Sequence, residues 1–143
     1  MRSFIPTLVI AVAFQFGPAA SQAVEMMSPD QAIVDSGRVQ YQGHCAKCHG
    51  SDATGAEISV KGETIKTPDL TTLAKKGGGA LPLWDVYEVV SGSKVVAEHR
   101  TRTMPIWSEE LAKARGITTE NKEAIVRGRI FAILAYLSTL QAK

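Results

Sequence analysis

The sequence predicts an all-α fold of several short helices joined by long loops, and three observations carry that expectation. Val126, Ile130, Ile133, Leu137 and Leu140 recur at helical steps for about four turns near the carboxyl end, the pattern of an amphipathic helix. No stretch alternates apolar and polar residues over a useful strand length, and no internal repeat is present. Elsewhere, helix starts and stops are marked by serine, threonine, proline and glycine.

In chain order, Ser28-Pro29-Asp30-Gln31 pairs an N-cap serine with a proline at the first helical position and a glutamine three residues after the cap, which starts a helix. Ile33, Gly37 and Tyr41 then share one face, and that helix runs toward Gly43, with Gly37 allowing another helix to approach closely. From Gly50 to Thr67 the residues are polar and mixed, including Ser51-Asp52-Ala53-Thr54-Gly55 and Gly62, and predict a loop wrapped around something. Thr67-Pro68-Asp69-Leu70 opens a short helix that stops at Gly77-Gly78-Gly79. Leu81-Pro82-Leu83 opens another that stops at Gly92, with Leu83, Val86, Tyr87 and Val90 as its apolar face. Ser93 to Pro105 reads as extended or looped, and Ser108 as the cap of a short helix ending before Gly116. Thr118 or Thr119 starts the last helix, where Glu120 and Glu123 suit the positive end of the dipole.

The 143 residues favour one compact domain. The amino terminus reads Met1-Arg2-Ser3, then the mostly apolar Phe4 to Phe16, then small residues ending at Ser21-Gln22-Ala23, which predicts a secretory signal over residues 1–23 and a mature domain over 24–143. A retained anchor is the alternative, but a spanning helix needs about 20 apolar residues, and Pro6, Gln15, Gly17 and Pro18 interrupt this stretch. No later segment suits a span, since Ile125 to Leu140 contains Arg127 and Arg129, so no stable membrane insertion is expected after cleavage. Cleavage removes Arg2 alone among the charges and leaves 15 basic against 14 acidic side chains, a balance that argues against nucleic acid as a partner.

The two cysteines of the chain stand in Cys45-Ala46-Lys47-Cys48-His49, the C-x-x-C-H arrangement that attaches a c-type haem. Residues three and four apart lie on one side of a helical turn, so Cys45 and Cys48 can each form a thioether with a vinyl group while His49 reaches the iron. A disulfide or a redox-active C-x-x-C pair competes for the same cysteines. Neither explains the adjacent histidine, and the βαβ pattern of a thioredoxin-like site is absent. Structural zinc would need four ligands, and only the isolated His44 and His99 accompany the cysteines.

The second axial position then decides the chemistry, since it holds methionine, histidine or nothing in different haem proteins. Met26 and Met27 precede the first helix, whereas Met104 stands directly before Pro105, which favours an extended backbone able to aim the sulfur inward. The competing reading of Met104 is a gap-filling core residue. The competing ligand is His99, which sits among Glu98, Arg100 and Arg102. His44 emerges from the same turn as the proximal ligand and reads as surface or propionate-side.

With these motifs in this order the chain resembles the class I c-type cytochromes over nearly all of its mature length. That resemblance implies a cytochrome c fold around one covalently bound haem c, with the first and last helices packed crosswise. It pairs Gly37 and Tyr41 with Ile133 and Tyr136, sets the Pro68 carbonyl near the N–H of His49, and makes Met104-Pro105-Ile106-Trp107 the ligand loop, with Trp107 in the haem environment. The Gly50 to Lys66 loop and the Lys94 to Arg102 segment depart from the family pattern.

The function expected from these residues is single-electron transfer between a donor and an acceptor protein in the periplasm, by a monomer with His49 and Met104 permanently ligated. Lys94, Arg100 and Arg102 would steer an acidic partner, or be ordinary solvated charges. The alternatives are a cytochrome subunit of a larger dehydrogenase or oxidase complex, and a five-coordinate haem enzyme or gas-binding protein with no distal methionine. No catalytic triad, phosphate loop or paired-carboxylate site is recognisable, and no enzymatic activity is assigned.

Overall fold

The computed structural model describes residues 30–60, 62–94, 104–114 and 116–142. The expected signal segment, Met26, Met27, the Ser28-Pro29 helix start, His99, Arg100 and Arg102 lie outside the described residues. The described residues form six α-helices, one 3-10 turn and one small two-stranded sheet, so the fold is mostly helical rather than strictly all-α.

Helix α1 (Gln31–His44) is capped by Asp30, whose carboxylate accepts from the Ala32 N–H at 2.9 Å. Its inward face is Val34, Gly37 and Tyr41, while Ile33 is about half exposed, so the expected Ile33 stripe is displaced by one residue. One residue, Cys45, separates α1 from the single turn α2 (Ala46–His49).

The segment read as a loop contains the antiparallel strands β1 (Glu57–Val60) and β2 (Glu63–Lys66), paired so that Ile58 faces Ile65. Each strand is four residues long, too short for a sustained period to stand out in the sequence. A 3-10 turn (Leu70–Thr72) leads into α3 (Leu73–Lys76), which ends at Gly77, and α4 (Leu83–Ser91) ends at Gly92 in the left-handed conformation, φ 85°. On α4, Val90 is buried and Val86 and Tyr87 are half-buried, but Leu83 is exposed in the first turn.

Helix α5 (Trp107–Leu111) has Ile106 at its N-cap, and Ser108, expected as the cap, lies inside the helix with its hydroxyl donating to the Ser91 carbonyl at 2.7 Å. Helix α6 (Lys122–Thr139) begins after Asn121, later than Thr118 or Thr119; the Asn121 side chain instead accepts from the Thr118 N–H at 2.8 Å. Val126, Ile130, Ile133 and Leu137 are buried as expected, and so are Ala132, Leu134 and Tyr136, because α1 covers one side of α6 while α4 and α5 cover another. Gly37 meets the Ala132 backbone and Tyr136 most closely, and the rings of Tyr41 and Tyr136 sit 5.5 Å apart.

Candidate functional site

The turn that carries the cysteine motif is held from both ends. Its N–H groups follow on from α1: Cys45 donates to Tyr41, Cys48 and His49 to Cys45, and Gly50 to Ala46. The helical register therefore sets Cys45, Cys48 and His49 on one side of a single turn. The buried phenol of Tyr41 donates to the Gly50 carbonyl at 2.8 Å, and the Gln42 amide donates to Ser51 at 2.9 Å, tying the exit of the turn back to α1.

Beyond Gly50 the chain doubles back under this turn. Gly55 returns its N–H to the His49 carbonyl at 2.9 Å with φ 89°, and a Cβ there would stand 2.6 Å from the Thr67 carbonyl oxygen, so glycine is required. Ala53 is fully buried at φ 66°, a strained conformation for a side chain with a Cβ, and its carbonyl accepts from Leu70 at 2.8 Å.

Thr67 closes the structure. Its hydroxyl lies 2.7 Å from the Cys48 carbonyl and 3.0 Å from the Ala56 carbonyl, and accepts from the Ala56 N–H at 2.8 Å. The next residue is Pro68, whose carbonyl oxygen is 3.5 Å from Nδ1 of His49. A neutral imidazole donating from Nδ1 carries its lone pair on Nε2, the nitrogen suited to a metal. His49 is the buried polar residue among those described, 7% exposed. Asp69 then turns the chain into the 3-10 segment by accepting from the N–H and hydroxyl of Thr71 at 2.8 and 2.6 Å. Gln141 locks that segment to the end of α6, accepting from the Ala74 N–H at 2.8 Å and donating to Leu70 and Leu137 at 3.0 and 2.8 Å.

Met104 is half-buried, and the segment after it is anchored to the end of α4. Ile106 packs against Gly92, where a Cβ would come within 2.7 Å of an Ile106 methyl, and Ser108 bonds Ser91. Trp107 is half-buried, with its ring 5.4 Å from that of the exposed His44.

Cys45, His49, Pro68 and Met104 border two adjoining cavities of about 150 and 330 Å³. The smaller is also lined by Cys48, Ile58, Ile65 and Trp107, the larger by apolar side chains of α4 and α6 including Val86, Val90, Ile133 and Leu137. The structure thus gathers every residue singled out in the sequence for the site: Cys45, Cys48, His49, Pro68, Met104 and Trp107. Sequence reasoning missed Thr67, Gln141 and the hairpin pair Ile58 and Ile65; the polar-apolar order of Glu57-Ile58-Ser59-Val60 ahead of Gly62 was the available signal for the hairpin.

Burial, and secondarily the neighbouring Cys48, pushes the Cys45 thiol up to about 12. An active C-x-x-C redox site needs the opposite, a thiol lowered toward neutrality. Among the described residues no group of three or more His, Cys, Asp or Glu side chains is placed to hold a metal ion. Lys94, expected near the ligand methionine, lines the larger cavity together with Met104, and its ammonium bonds Asp85 at 2.7 Å, a bond that raises its pKa.

Two thiols on one side of a turn, a buried imidazole with Nδ1 near the Pro68 carbonyl, a thioether in the same apolar cleft and a lining of aliphatic side chains fit a covalently held haem. Among the described residues no helix is long and apolar enough to cross a membrane. Residues 32–97 match the family described as cytochrome C oxidase, cbb3-type, subunit III, a match that covers α1 through α4. No curated protein and no solved structure matches the chain.

Proposed function

We propose that this chain, which carries a c-type cytochrome domain and with it the covalently bound haem c that such a domain implies, passes single electrons between two redox proteins as a soluble, monomeric periplasmic carrier. The observation that supports this reading is the shared cleft: Cys45, the buried His49 and the Met104 thioether border the same two apolar cavities, and Cys48 borders the smaller.

When bound, the haem supplies a one-electron ferric/ferrous couple. In this reading Cys45 and Cys48 anchor it, and the chain's two cysteines provide for one such group. His49 and Met104 would hold its iron, with the Pro68 carbonyl keeping the imidazole in orientation and Trp107 stiffening the methionine segment. A soft thioether and the aliphatic lining from α4 and α6 both favour the less charged ferrous state, so the potential is positive and fairly high. Keeping both ligands through the cycle leaves little to reorganise. The role assigned is transfer of electrons, with no substrate chemistry of its own, and residues 1–23 serve as a signal removed before the 24–143 domain works in the periplasm.

The description of the matched family, an oxidase subunit, favours a second reading in which the chain makes the same transfer as a fixed part of a larger complex. Native periplasmic extracts resolved by size, with the haem followed by its absorbance, separate the two: elution as a small monomer supports the carrier, and elution with a large assembly supports the subunit. Redox titration of the purified protein checks the centre itself. A positive midpoint with the near-infrared methionine-to-ferric-iron band is expected, and a strongly negative midpoint without that band would overturn the ligand assignment.

A further inference from the structure

We propose that Thr67 is a positioning residue for the axial histidine, setting the Nδ1 contact of His49 and through it the redox potential; this rests on the electron-transfer reading above. The Thr67 hydroxyl bonds the attachment turn directly to the segment carrying Pro68, beside the longer contact that His49 itself makes with the Pro68 carbonyl. With a single proton to give, it donates to the Cys48 carbonyl, the closer acceptor at 2.7 Å, because the Ala56 carbonyl already receives the Thr67 N–H at 2.9 Å. Its lone pair takes the Ala56 N–H at 2.8 Å. One side chain thereby fixes the residue before His49 relative to the residue before Pro68.

The contact it controls is at the edge of hydrogen-bonding distance. The Pro68 carbonyl sits 3.5 Å from Nδ1 of His49, where a displacement of a few tenths of an ångström decides whether the bond is made. Pro68 has no N–H with which to secure its own position, and a proline fixes only φ, so the restraint on its carbonyl comes from its neighbours: Thr67 before it, and Asp69 with its bonds to Thr71 after it. Asp69 orients the chain that leaves Pro68, whereas Thr67 reaches across to the residue before His49 at 2.7 Å.

The sign of the effect follows from the imidazole. A strong Nδ1–H bond to a carbonyl raises the electron donation of the ring and stabilises the more highly charged ferric state. Loss of the Thr67 hydroxyl lets Pro68 drift, weakens that bond and raises the potential. Thr67→Val preserves shape and removes the hydroxyl; Thr67→Ser restores it.

The test is a redox titration of haem-loaded wild type, Thr67→Val, Thr67→Ala and Thr67→Ser, with exchange of the His49 Nδ1 proton followed by NMR. The expected result is a midpoint above wild type for valine and alanine with the methionine band retained, a faster-exchanging Nδ1 proton in both, and a return of both properties to wild type for serine. A wild-type midpoint in either folded variant lacking the hydroxyl overturns the inference. So does an Nδ1 proton that exchanges freely in the wild-type protein, a measurement that stands even if both variants fail to accumulate. Absence of the methionine band in wild type, by contrast, counts against the ligand reading and leaves the Thr67 comparison to be read from the Nδ1 proton alone.

Discussion

A Cβ placed on Gly37 would lie 1.8 Å from the carbonyl oxygen of Ala132, closer than any side-chain adjustment can relieve because the obstacle is backbone. This contact between α1 and α6 is where the two longest helices approach, and the Tyr41 and Tyr136 rings pack beside it at 5.5 Å. Gly37→Ala is therefore expected to push the helices apart and destabilise the protein by at least the ~1–3 kcal/mol typical of overpacking. Denaturant unfolding of the haem-loaded protein measures this, and a change below 0.5 kcal/mol, taken as about the ordinary scatter of surface substitutions, contradicts the close approach.

Tyr41 gives a stability term with a pH signature. Burial above all, with Cys45, Tyr136 and Asp52 adding to it, holds its phenol well above the ordinary tyrosine range, and its hydroxyl donates to Gly50. A raised folded-state pKa in an acid means that the unfolded chain loses its proton first. The contribution is then fully present below the unfolded value of about 10 and is lost as pH rises beyond it. Tyr41→Phe should cost roughly 0.5–1.5 kcal/mol at neutral pH, the worth of one hydrogen bond. The deficit should shrink above pH ~10, the unfolded tyrosine value; unfolding midpoints of the two proteins across that range provide the check.

Asp52 supplies the opposite sign at the acid end. The Thr54 N–H and hydroxyl both donate to its carboxylate and hold its pKa below the ordinary value, so the stabilisation is present above the unfolded pKa and fades as pH falls through the folded one. The carboxylate is fully exposed, which makes the effect small. Wild type and Asp52→Asn are expected to differ slightly near neutrality and to converge in acid. A gap that widens on acidification would contradict the Thr54 contacts.

Much of the site was legible in the sequence because its chemistry is local. Cys45, Cys48 and His49 fall within one helical turn, so spacing alone sets them side by side, and Met104 announces itself through Pro105. The long helix α6 was legible for the same reason, as its period repeats for many turns. What stayed hidden depends on distant pairing. Ile58 and Ile65 become cavity wall only when two four-residue strands pair, and the alternation of Glu57 to Val60 ends too soon to stand out from a polar loop. Thr67 looks like a helix-start residue until the chain folds back to bring Cys48 within 2.7 Å of its hydroxyl. Ile33 was misassigned because Gly37 and Tyr41 admit either residue 33 or 34 as the preceding inward position, and the packing of α1 on α6 selects Val34.

The attachment cysteines can be separated by their covalent chemistry. Cys45→Ala and Cys48→Ala should each retain one thioether and still show haem staining on a denaturing gel, at reduced yield. The double variant should lose all staining and release its haem to acidified organic solvent. Staining that survives in the double variant would refute attachment at this turn.

Met104 is the residue on which the electron-carrier reading turns, since it borders both cavities together with Cys45 and His49 and its segment is pinned by Ile106 on Gly92 and by Ser108 on Ser91. Because those anchors lie beyond the sulfur, Met104→Leu should keep the loop in place and remove only the ligand atom. The expected protein is folded and haem-loaded, lacks the near-infrared methionine band, binds small ligands such as imidazole that the wild type excludes, and has a lower midpoint because the ferrous-favouring thioether is gone. Met104→Ala should do the same with a larger loss of stability, as leaving a cavity where a methionine stood costs about 2–5 kcal/mol. Absorption spectra with and without added imidazole decide it: an unchanged methionine band in Met104→Leu would transfer the ligand role to another residue and require His99 to be tested next.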